Sequence, residues 1–282
     1  MDNVNKERIL FTGANSLLAM QVIPLLIEKG FNITGINRSQ KSKELPIKYF
    51  IGDMNDKLFL DNCFHNIDTI IHAAGATRTI NSEELFSSNE KITKSLVDAA
   101  IKNNIKKFIF ISSDLAAYRC GSYGKSKSNC ESIIKSSALN DWYLLRLPPL
   151  LTSTRELNST LSKLIDNVQK GNILFLPQAG NFKINYINPT DIVKTIISIN
   201  NSTYSKKSIL NDLGKSQNLN SFLKSYTGKP TKIFNIPIPI LSLILSIIRL
   251  LRIDFLQRES LTRIVIDFNK NKKQALEKTD TK

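Results

Sequence analysis

Two kinds of hydrophobic pattern alternate along the first half of the chain. Short continuous apolar runs are typical of buried strands, whereas apolar residues that recur every three to four positions indicate one face of a helix. Strands that alternate with helices predict βαβ units and a parallel sheet covered on both faces, the α/β class of doubly wound, Rossmann-like folds. The strand-like runs cover residues 8–12, 31–37, 67–73, 108–111 and 142–145, and the helical patterns cover 20–28, 89–103 and the segment around Tyr123.

Beyond residue 148 the pattern breaks into shorter pieces, with no repeat or low-complexity linker. We therefore predict one domain over residues 1–148, with its sheet completed by parts of 183–212, and a small C-terminal lobe over most of 149–282 that ends in a polar tail. The lobe's helical patterns lie at 157–168, 191–199 and 220–226, and its extended pieces lie at 174–177 and 183–188.

The longest uncharged apolar stretch covers residues 233–248, where Pro237, Pro239 and two serines interrupt it. A spanning helix needs roughly 20 apolar residues, so we predict a buried helix of the lobe instead. Arginines follow this stretch, and the chain carries a net charge of +15. A peripheral contact of residues 233–252 with anionic lipids is therefore the alternative interpretation.

A turn suited to binding phosphate follows the first predicted strand. Gly13 comes directly after that strand, Asn15, Ser16 and Leu17 follow it, and the helical pattern covers residues 20–28. A strand–turn–helix unit aims backbone N–H groups and the positive end of a helix at a pyrophosphate. Ser16 and Ala19 stand where such sites usually have glycine, so an ordinary buried turn is the alternative. The Ser16 hydroxyl can nevertheless donate to a phosphate oxygen.

The end of the second predicted strand bears on the choice of dinucleotide. An acidic residue about 20 positions after the glycine turn usually holds the ribose 2′-hydroxyl. Residues 36–41 here read Ile-Asn-Arg-Ser-Gln-Lys, without a carboxylate. The Arg38 guanidinium suits a 2′-phosphate, and the sequence therefore favours NADP(H) over NAD(H). A solvated basic loop is the alternative.

Tyr123 and Lys127 lie four positions apart in a helical pattern, and so on one face of a helix. A nearby positive charge lowers the pKa of a phenol, which makes a tyrosine a usable general acid or base. Such pairs also arise by chance on helix surfaces, so the spacing needs support from its context. That context is the edge where parallel strands end and ligands bind. Residues that follow predicted strands are Gly13, Ala73, Ala74, Ser113 and Arg146 to Pro148.

Taken together, these pieces resemble the extended short-chain dehydrogenases/reductases of the NAD-dependent epimerase/dehydratase family, whose members act on nucleotide sugars. The matching pieces run in the family's order over roughly 190 residues. They are Thr12-Gly13-Ala14, Gly52-Asp53-Met54, His72-Ala73-Ala74, Asn89, Ser112-Ser113, Tyr123-x-x-x-Lys127, Arg146-Leu147-Pro148-Pro149 and Tyr186 to Val193.

The resemblance implies a role for individual residues. Tyr123 would be the proton donor or acceptor, Lys127 would tune it and hold the nicotinamide ribose, and Ser113 would bond the substrate oxygen. Asp53 would contact the adenine, and the cofactor set would also include Met54, Ala73, Ala74 and Pro148. Independently of the resemblance, Lys183 or Arg155 is a candidate to pair with the substrate diphosphate, because a dianion favours Lys or Arg, and a plain surface charge is the alternative for each. A homodimer formed through two helices of each subunit is implied by the family alone.

The chain departs from the family after Ser113. Only nine residues separate it from Tyr123, and Asp114 is followed by Leu115, where the family's 4,6-dehydratases have Asp-Glu. We therefore disfavour a dehydratase. The sequence favours an NAD(P)-dependent oxidoreductase that reduces a 4-keto group of a nucleotide-linked sugar in surface-polysaccharide precursor synthesis. A 4-epimerase that uses the same groups, and a non-catalytic dinucleotide-binding sensor or scaffold, are the alternatives.

Composition excludes several other classes. The chain has two histidines and three cysteines, which show no metal-ligand spacing, so we expect no metal site and no Ser-His-Asp hydrolase. Its charge is not arranged as a nucleic-acid-binding module. Unpaired cysteines, and a first strand that begins within eight residues, predict a cytoplasmic protein without a signal peptide.

Overall fold

The computed structural model of the chain describes residues 7–39, 45–76, 82–119, 121–151, 160–228, 232–237 and 240. Its strands are β1 (Arg8–Thr12), β2 (Asn32–Asn37), β3 (Lys48–Ile51), β4 (Thr69–His72), β5 (Lys107–Ser113), β6 (Trp142–Leu147), β7 (Leu174–Leu176), β8 (Lys183–Tyr186), β9 (Ser208–Leu210), β10 (Lys215–Asn218) and β11 (Ile233–Asn235). Its helices are α1 (Leu17–Glu28), α2 (Lys57–Cys63), α3 (Ser82–Lys102), α4 (Asp114–Ala117), α5 (Gly121–Lys135), α6 (Thr160–Gln169), α7 (Pro189–Asn200) and α8 (Leu219–Thr227).

The chain divides into two units. The first contains the residues up to Leu150 together with Ile187–Leu213, and the second contains Leu151–Tyr186 and the residues from Gly214 onward. Seven strands of the first unit form one sheet in the order β3-β2-β1-β4-β5-β6-β9, and every pair is parallel. The strand order reverses beside β1, which is where ligands bind in doubly wound folds. The predicted fold class is confirmed.

Helices cover both faces of this sheet because side chains alternate along buried strands. On β5, Phe108 and Phe110 join a core with α2, α3 and α5, whereas Ile109 and Ile111 join a second core with α1 and α7. The run of apolar residues that predicted this strand is therefore the signature of burial on both faces.

The second unit is smaller and has its own hydrophobic core. There β8 pairs with β10 in antiparallel fashion, and β7 pairs with β11 in parallel. Leu161 and Ile165 of α6 pack with Leu174 of β7 and with Phe222 and Leu223 of α8. In the part of the chain that the structure describes, no helix is both long enough and apolar enough to cross a bilayer.

The prediction of a helix from residue 233 is wrong at its start. Residues Ile233–Asn235 form strand β11, whose Phe234 is exposed and whose partner strand lies about 60 positions earlier in the chain. A pairing over that distance leaves no local pattern in the sequence. The remainder of the apolar stretch, from 241 onward, lies outside the described residues. Strand β3 and helices α2 and α4 are further elements that the sequence did not predict.

The turn after β1 depends on a glycine. Gly13 has φ +70°, and its N–H donates to Ile36 O at 2.9 Å. A Cβ atom on Gly13 would lie 2.9 Å from Ala74 Cα, which is closer than real Cβ contacts. Both the left-handed conformation and the close approach to β4 therefore require glycine at this position.

Gly13→Ala should lower the free energy of unfolding by about 3 kcal/mol, because it combines a strained left-handed residue with a steric clash. Gly30→Ala is the matched control, since Gly30 has φ +89° but no atom within 4 Å of its added Cβ. That variant should cost about 1 kcal/mol. Urea unfolding of both proteins measures the difference, and equal losses would contradict the steric account.

Candidate functional site

The carboxyl ends of β1, β4, β5 and β6 lie at one edge of the parallel sheet. The residues at these ends are Thr12, His72, Ser113 and Leu147. The turn after β1, the Ala73–Ala74 segment and the beginning of α4 follow directly from them. This edge therefore gathers most of the candidate residues of the first unit.

Helix α1 presents its first turn at this edge. Ser16 is the N-cap, and its Oγ accepts a hydrogen bond from Ala19 N–H at 3.2 Å. The hydroxyl proton of Ser16 is not used by that bond. The first N–H groups of a helix lack intrahelical partners, so those of Leu17 and Leu18 remain for an anion. The geometry of the turn fits a dinucleotide pyrophosphate even without the usual second glycine.

A chain of buried neutral groups connects β1, β4 and α3. Thr12 Oγ1 accepts from Ala74 N–H at 3.1 Å and lies 2.9 Å from His72 Nδ1. On the other side, His72 Nε2 lies 3.1 Å from Thr93 Oγ1, which donates to Asn89 O at 2.8 Å. We assign the hydroxyl proton of Thr12 to Nδ1 and the imidazole proton to Nε2, because only this arrangement satisfies every group.

The imidazole of His72 is accordingly a structural group. Burial, with a smaller effect of the Lys127 charge, lowers the pKa of His72 to about 3. A neutral imidazole that accepts one hydrogen bond from Thr12 and donates one to Thr93 fits this buried environment. This geometry gives His72 a packing role and not a catalytic one.

Asn89 joins the loop after β4 to helix α5. Its Oδ1 accepts from Ala76 N–H at 2.7 Å, and its Nδ2 donates to Ala76 O and to Ser126 Oγ, both at 3.0 Å. All three bonds are largely buried, and Ser126 lies one position before Lys127. This clamp therefore sets the position of α5 at the sheet edge.

Tyr123 and Lys127 lie on one face of α5, and the ammonium of Lys127 is 5.9 Å from the centre of the tyrosine ring. Lys127 is 5% exposed, and its Nζ donates to Ile111 O at 2.9 Å. The same ammonium lies 4.5 Å from the centre of the Phe110 ring. Burial lowers the pKa of Lys127 to about 8, and the charges of Cys130 and Glu131 oppose that shift.

The two serines at the end of β5 have different partners. Ser112 Oγ donates to the fully buried Glu131 at 2.6 Å. Ser113 Oγ accepts from Leu115 N–H at 3.3 Å and lies 3.1 Å from Asp114 Oδ1, to which it donates. The Ser112 hydroxyl is therefore used in the interior, and Ser113 is the last residue of β5.

A buried ion pair lies behind this site. Arg146 donates through Nε to Glu131 Oε1 at 2.9 Å and through a terminal nitrogen to Oε2 at 2.5 Å. The hydrogen bonds to Glu131 raise the pKa of Arg146. A bidentate pair of this kind fixes the orientation of both side chains, and so it holds α5 against β6. Sequence reasoning missed Glu131, although its place one helical turn after Lys127 was a usable signal.

The remaining cofactor candidates lie around the same edge. Arg38 is exposed just after β2, and Met54, Ala74 and Pro148 are buried. Asp53 is also exposed, and its Oδ1 accepts from Asn55 N–H and Nδ2 at 3.0 and 2.9 Å. Asn15 donates through its backbone N–H to Asn37 Oδ1 at 2.9 Å. Asn37 was not a candidate from the sequence.

Two residues were predicted to bind the substrate diphosphate. Lys183 is the exposed first residue of β8 in the second unit, and Arg155 lies outside the described residues. Nor does any group of three or more His, Cys, Asp and Glu side chains suited to a metal occur within the described ranges.

The fold and the edge residues together define a doubly wound α/β protein with a tyrosine–lysine pair beside the end of β5. The model of the NAD-dependent epimerase/dehydratase family matches residues 9–211, and the chain belongs to this family. Its seven-stranded parallel sheet is the one found in short-chain dehydrogenases/reductases of known structure.

Among characterised relatives, the UDP-glucose 4-epimerase of Rickettsia conorii is 24% identical over 214 residues, which are 66% of this chain and 61% of the relative. A UDP-N-acetylglucosamine 4,6-dehydratase (inverting) of Campylobacter jejuni is 30% identical over 137 residues, which are 44% of this chain and 41% of that enzyme. The chain thus spans at most about three fifths of the length of these two relatives.

Solved structures share the fold at low sequence identity. The Bordetella bronchiseptica enzyme WbmG in complex with NAD has a TM-score of 0.68 at 18% identity, with 82% of each chain covered. The Thermotoga maritima UDP-glucose 4-epimerase with UDP-glucose has a TM-score of 0.65 at 18% identity, and the match covers 79% of this chain and 84% of that chain.

The buried ammonium of Lys127 should make stability depend on pH. Its pKa is about 8 in the folded protein against an ordinary 10.5, so between these values the unfolded chain binds more protons and stability rises with pH. The unfolding free energy of the wild type, relative to Lys127→Met, should rise by roughly 2 kcal/mol from pH 7 to pH 10.

Urea unfolding at several pH values measures this difference. Lys125→Met is the matched control, because Lys125 is an exposed lysine on the same helix. Removal of the Lys125 ammonium should leave the change of unfolding free energy with pH as in the wild type. If the difference in unfolding free energy between the wild type and Lys127→Met did not change with pH, the Lys127 ammonium would not be desolvated.

Proposed function

We propose that the protein is an NAD(P)-dependent oxidoreductase that reduces a 4-keto group of a nucleotide-linked sugar during surface-polysaccharide precursor synthesis. One observation carries the proposal. The ammonium of Lys127 is buried beside the ring of Tyr123 and anchored on Ile111 O, two residues before Ser113 at the end of β5. A tyrosine and a positive charge on α5, together with a serine hydroxyl at the end of β5, support a site for proton transfer at this edge of the sheet.

The chemistry needs one hydride and one proton. A nicotinamide dinucleotide bound in its reduced form would supply the hydride to the carbonyl carbon. Tyr123 donates its hydroxyl proton to the carbonyl oxygen, so that the ketone becomes an alcohol and the tyrosine becomes a phenolate. The positive charge of Lys127 stabilises that phenolate, and solvent returns the proton.

Ser113 would polarise the carbonyl. Its Oγ donates to Asp114 in the structure, so a substrate oxygen has to replace that carboxylate as the acceptor. A rotation of the Ser113 side chain, or a displacement of Asp114, would direct the donor to the substrate. The stabilisation of developing negative charge by such a donor typically contributes to catalysis in sites of this kind.

We further propose that Arg38 directs the protein to NADP(H). Arg38 is exposed, with no ion pair to any of the described residues, and a guanidinium is well suited to a 2′-phosphate. WbmG was solved in complex with NAD, and so was a superfamily member from Agrobacterium tumefaciens that covers 98% of this chain at 17% identity. NAD therefore remains the competing cofactor.

The second unit is the proposed substrate lobe. Lys183 or Arg155 would pair with the diphosphate of a nucleotide sugar, because a dianion favours Lys or Arg, and UDP-sugars are named for several relatives. We also propose that the protein is a cytoplasmic homodimer. The cytoplasmic location rests on the unpaired cysteines, and the homodimer rests on the resemblance to the family.

A 4-epimerase is the second candidate, and specific relatives favour it. The UDP-glucose 4-epimerases of Rickettsia conorii and Rickettsia rickettsii each align with 66% of this chain. An epimerase uses the same tyrosine, lysine and serine, since it oxidises and then reduces the same carbon. The site geometry fits both reactions equally. A non-catalytic dinucleotide-binding protein is the third candidate.

Tyr123→Phe should lower turnover of a 4-keto nucleotide sugar by about 10²- to 10⁴-fold, because the variant lacks the proton donor. Dinucleotide affinity should stay within a few-fold of the wild type. Consumption of NADPH or NADH measures turnover, and fluorescence titration measures binding. Tyr118→Phe is the control, because Tyr118 is an exposed tyrosine after α4. A wild type that binds dinucleotide but turns over no nucleotide sugar would favour the non-catalytic candidate.

The cofactor retained on purification should separate reductase from epimerase. An epimerase returns the hydride to the same sugar and has no need to release its dinucleotide, whereas a reductase must exchange it in every cycle. Native mass spectrometry of the purified protein should show an empty site or bound NADP. NAD at full occupancy would instead favour the epimerase.

A further inference from the structure

The second unit has a pair of phenylalanines that face outward. Side chains alternate along β7, so Leu174 and Leu176 join the core of this unit while Phe175 is 62% exposed. Across the parallel β7–β11 pair, Phe175 lies opposite Phe234, which is 56% exposed. The two ring centres are 5.9 Å apart. The outer face of this two-stranded sheet is therefore aromatic and exposed to solvent.

Aliphatic side chains extend this surface. Ile173, directly before β7, is 50% exposed, and Ile240, shortly after β11, is exposed to the same extent. Single exposed apolar residues are ordinary, whereas a cluster with polar residues around it marks an interaction surface. We call the cluster of Ile173, Phe175 and Phe234 the aromatic face.

The charges next to the aromatic face are positive. Lys170 lies three positions before Ile173, Lys232 directly precedes β11, and both are exposed. The backbone oxygen of Lys232 accepts from Leu174 N–H at 2.8 Å, which places Lys232 at the β7–β11 pair. The sequence has no Asp or Glu at positions 167–190 and 213–253, where it has several lysines and arginines. A partner that fits this surface is both apolar and negatively charged.

Three classes of partner differ in how well they meet this requirement. A second copy of the chain would bring the same lysines against the face, and like charges oppose that pairing. A nucleic acid supplies negative charge and can stack on aromatic rings, but the aliphatic Ile173 and Ile240 offer no ring for a base. An anionic lipid surface supplies headgroups for the lysines and an apolar layer for the phenylalanines and isoleucines.

The sequence that follows β11 has the same character. Residues 236–248 contain no charged residue, and Arg249 and Arg252 come directly after them. Apolar side chains beside cationic ones are typical of segments that lie on an anionic membrane. Because this stretch continues from β11, its composition supports the same class of partner as the aromatic face.

We infer that the aromatic face binds the surface of a membrane that contains anionic lipids. Its apolar side chains enter the headgroup region, and Lys170 and Lys232 bind the anionic headgroups. This contact lies on the second unit, away from the tyrosine–lysine pair of the first unit. It is independent of the proposed function, because it requires neither a dinucleotide nor a sugar.

Sedimentation of the full chain with lipid vesicles measures this contact. Vesicles of equal parts phosphatidylcholine and phosphatidylglycerol should bind the wild type at least tenfold more tightly than vesicles of phosphatidylcholine alone, because the lysines need anionic headgroups. Added salt should weaken the binding, since it screens these charges.

Substitutions on the aromatic face should weaken binding to the mixed vesicles. Phe175→Ser and Phe234→Ser should each lower the affinity about tenfold, because an apolar ring no longer leaves water. Lys232→Gln should lower it about fivefold, through the loss of one charge near the headgroups. Leu58→Ser is the matched control, because Leu58 is a 76% exposed leucine of α2 in the first unit, and it should bind as the wild type does.

A fluorescence measurement covers the case in which a serine variant does not fold. Phe234→Trp keeps an aromatic ring on the face, and its emission should shift to shorter wavelength when mixed vesicles are added, because an indole at a membrane interface leaves water. The one native tryptophan, Trp142, is buried in the first unit. Leu58→Trp is the control and should show no shift.

Several results would overturn the inference. These are a wild type that does not bind the mixed vesicles, folded serine variants that bind them as tightly as the wild type, and the absence of a shift in Phe234→Trp. Self-association that Phe175→Ser abolishes, without vesicle binding, would indicate a second copy, and RNA binding lost in the same variant would indicate a nucleic acid. Each of these results leaves the proposed function intact, which turnover of Tyr123→Phe tests alone.

Discussion

The burial of one ammonium group, that of Lys127, determines how the candidate site is built. Removing this charge from water is costly, and the protein offsets the cost with Ile111 O, the face of the Phe110 ring and the charge of Glu131. Two of these partners belong to β5, so α5 has to lie directly against the end of that strand. The position of the Tyr123 ring follows, because it is fixed to the same helix one turn earlier.

Two polar networks with different physical character support this arrangement. Towards β1 the groups are neutral, and the Thr12–His72–Thr93 chain satisfies each donor and acceptor without any charge. Towards β6 the network is ionic, and Glu131 is held by Arg146 and Ser112. A buried ion pair does little for stability by itself but is expensive to break, so it selects one register of α5 against the sheet.

Local patterns made the fold and the tyrosine–lysine pair predictable, and non-local contacts made the rest unpredictable. β1 and β5 were read from continuous apolar runs, and Tyr123 with Lys127 from helical spacing. In contrast, Arg146 reaches Glu131 because β6 pairs with β5 so that Arg146 lies opposite Ser112. The short edge strand β3 has no fully buried residue and has only β2 as its neighbour in the sheet. Such pairings depend on packing and not on propensity.

The side-chain hydrogen bond from Ser113 to Asp114 distinguishes this site from one that consists only of a serine hydroxyl and a tyrosine. The short connection to α5 makes Asp114 the first residue of α4, with Ser113 as its N-cap. Ser113 Oγ accepts a hydrogen bond from Leu115 N–H, which makes its own O–H a stronger donor. That O–H donates a hydrogen bond to the Asp114 carboxylate. A ketone oxygen is a weaker acceptor than a carboxylate, so under the proposed function a ketone would receive this hydrogen bond only after a rotation of the Ser113 side chain or a displacement of Asp114. The same requirement would hold for the reductase and for the epimerase.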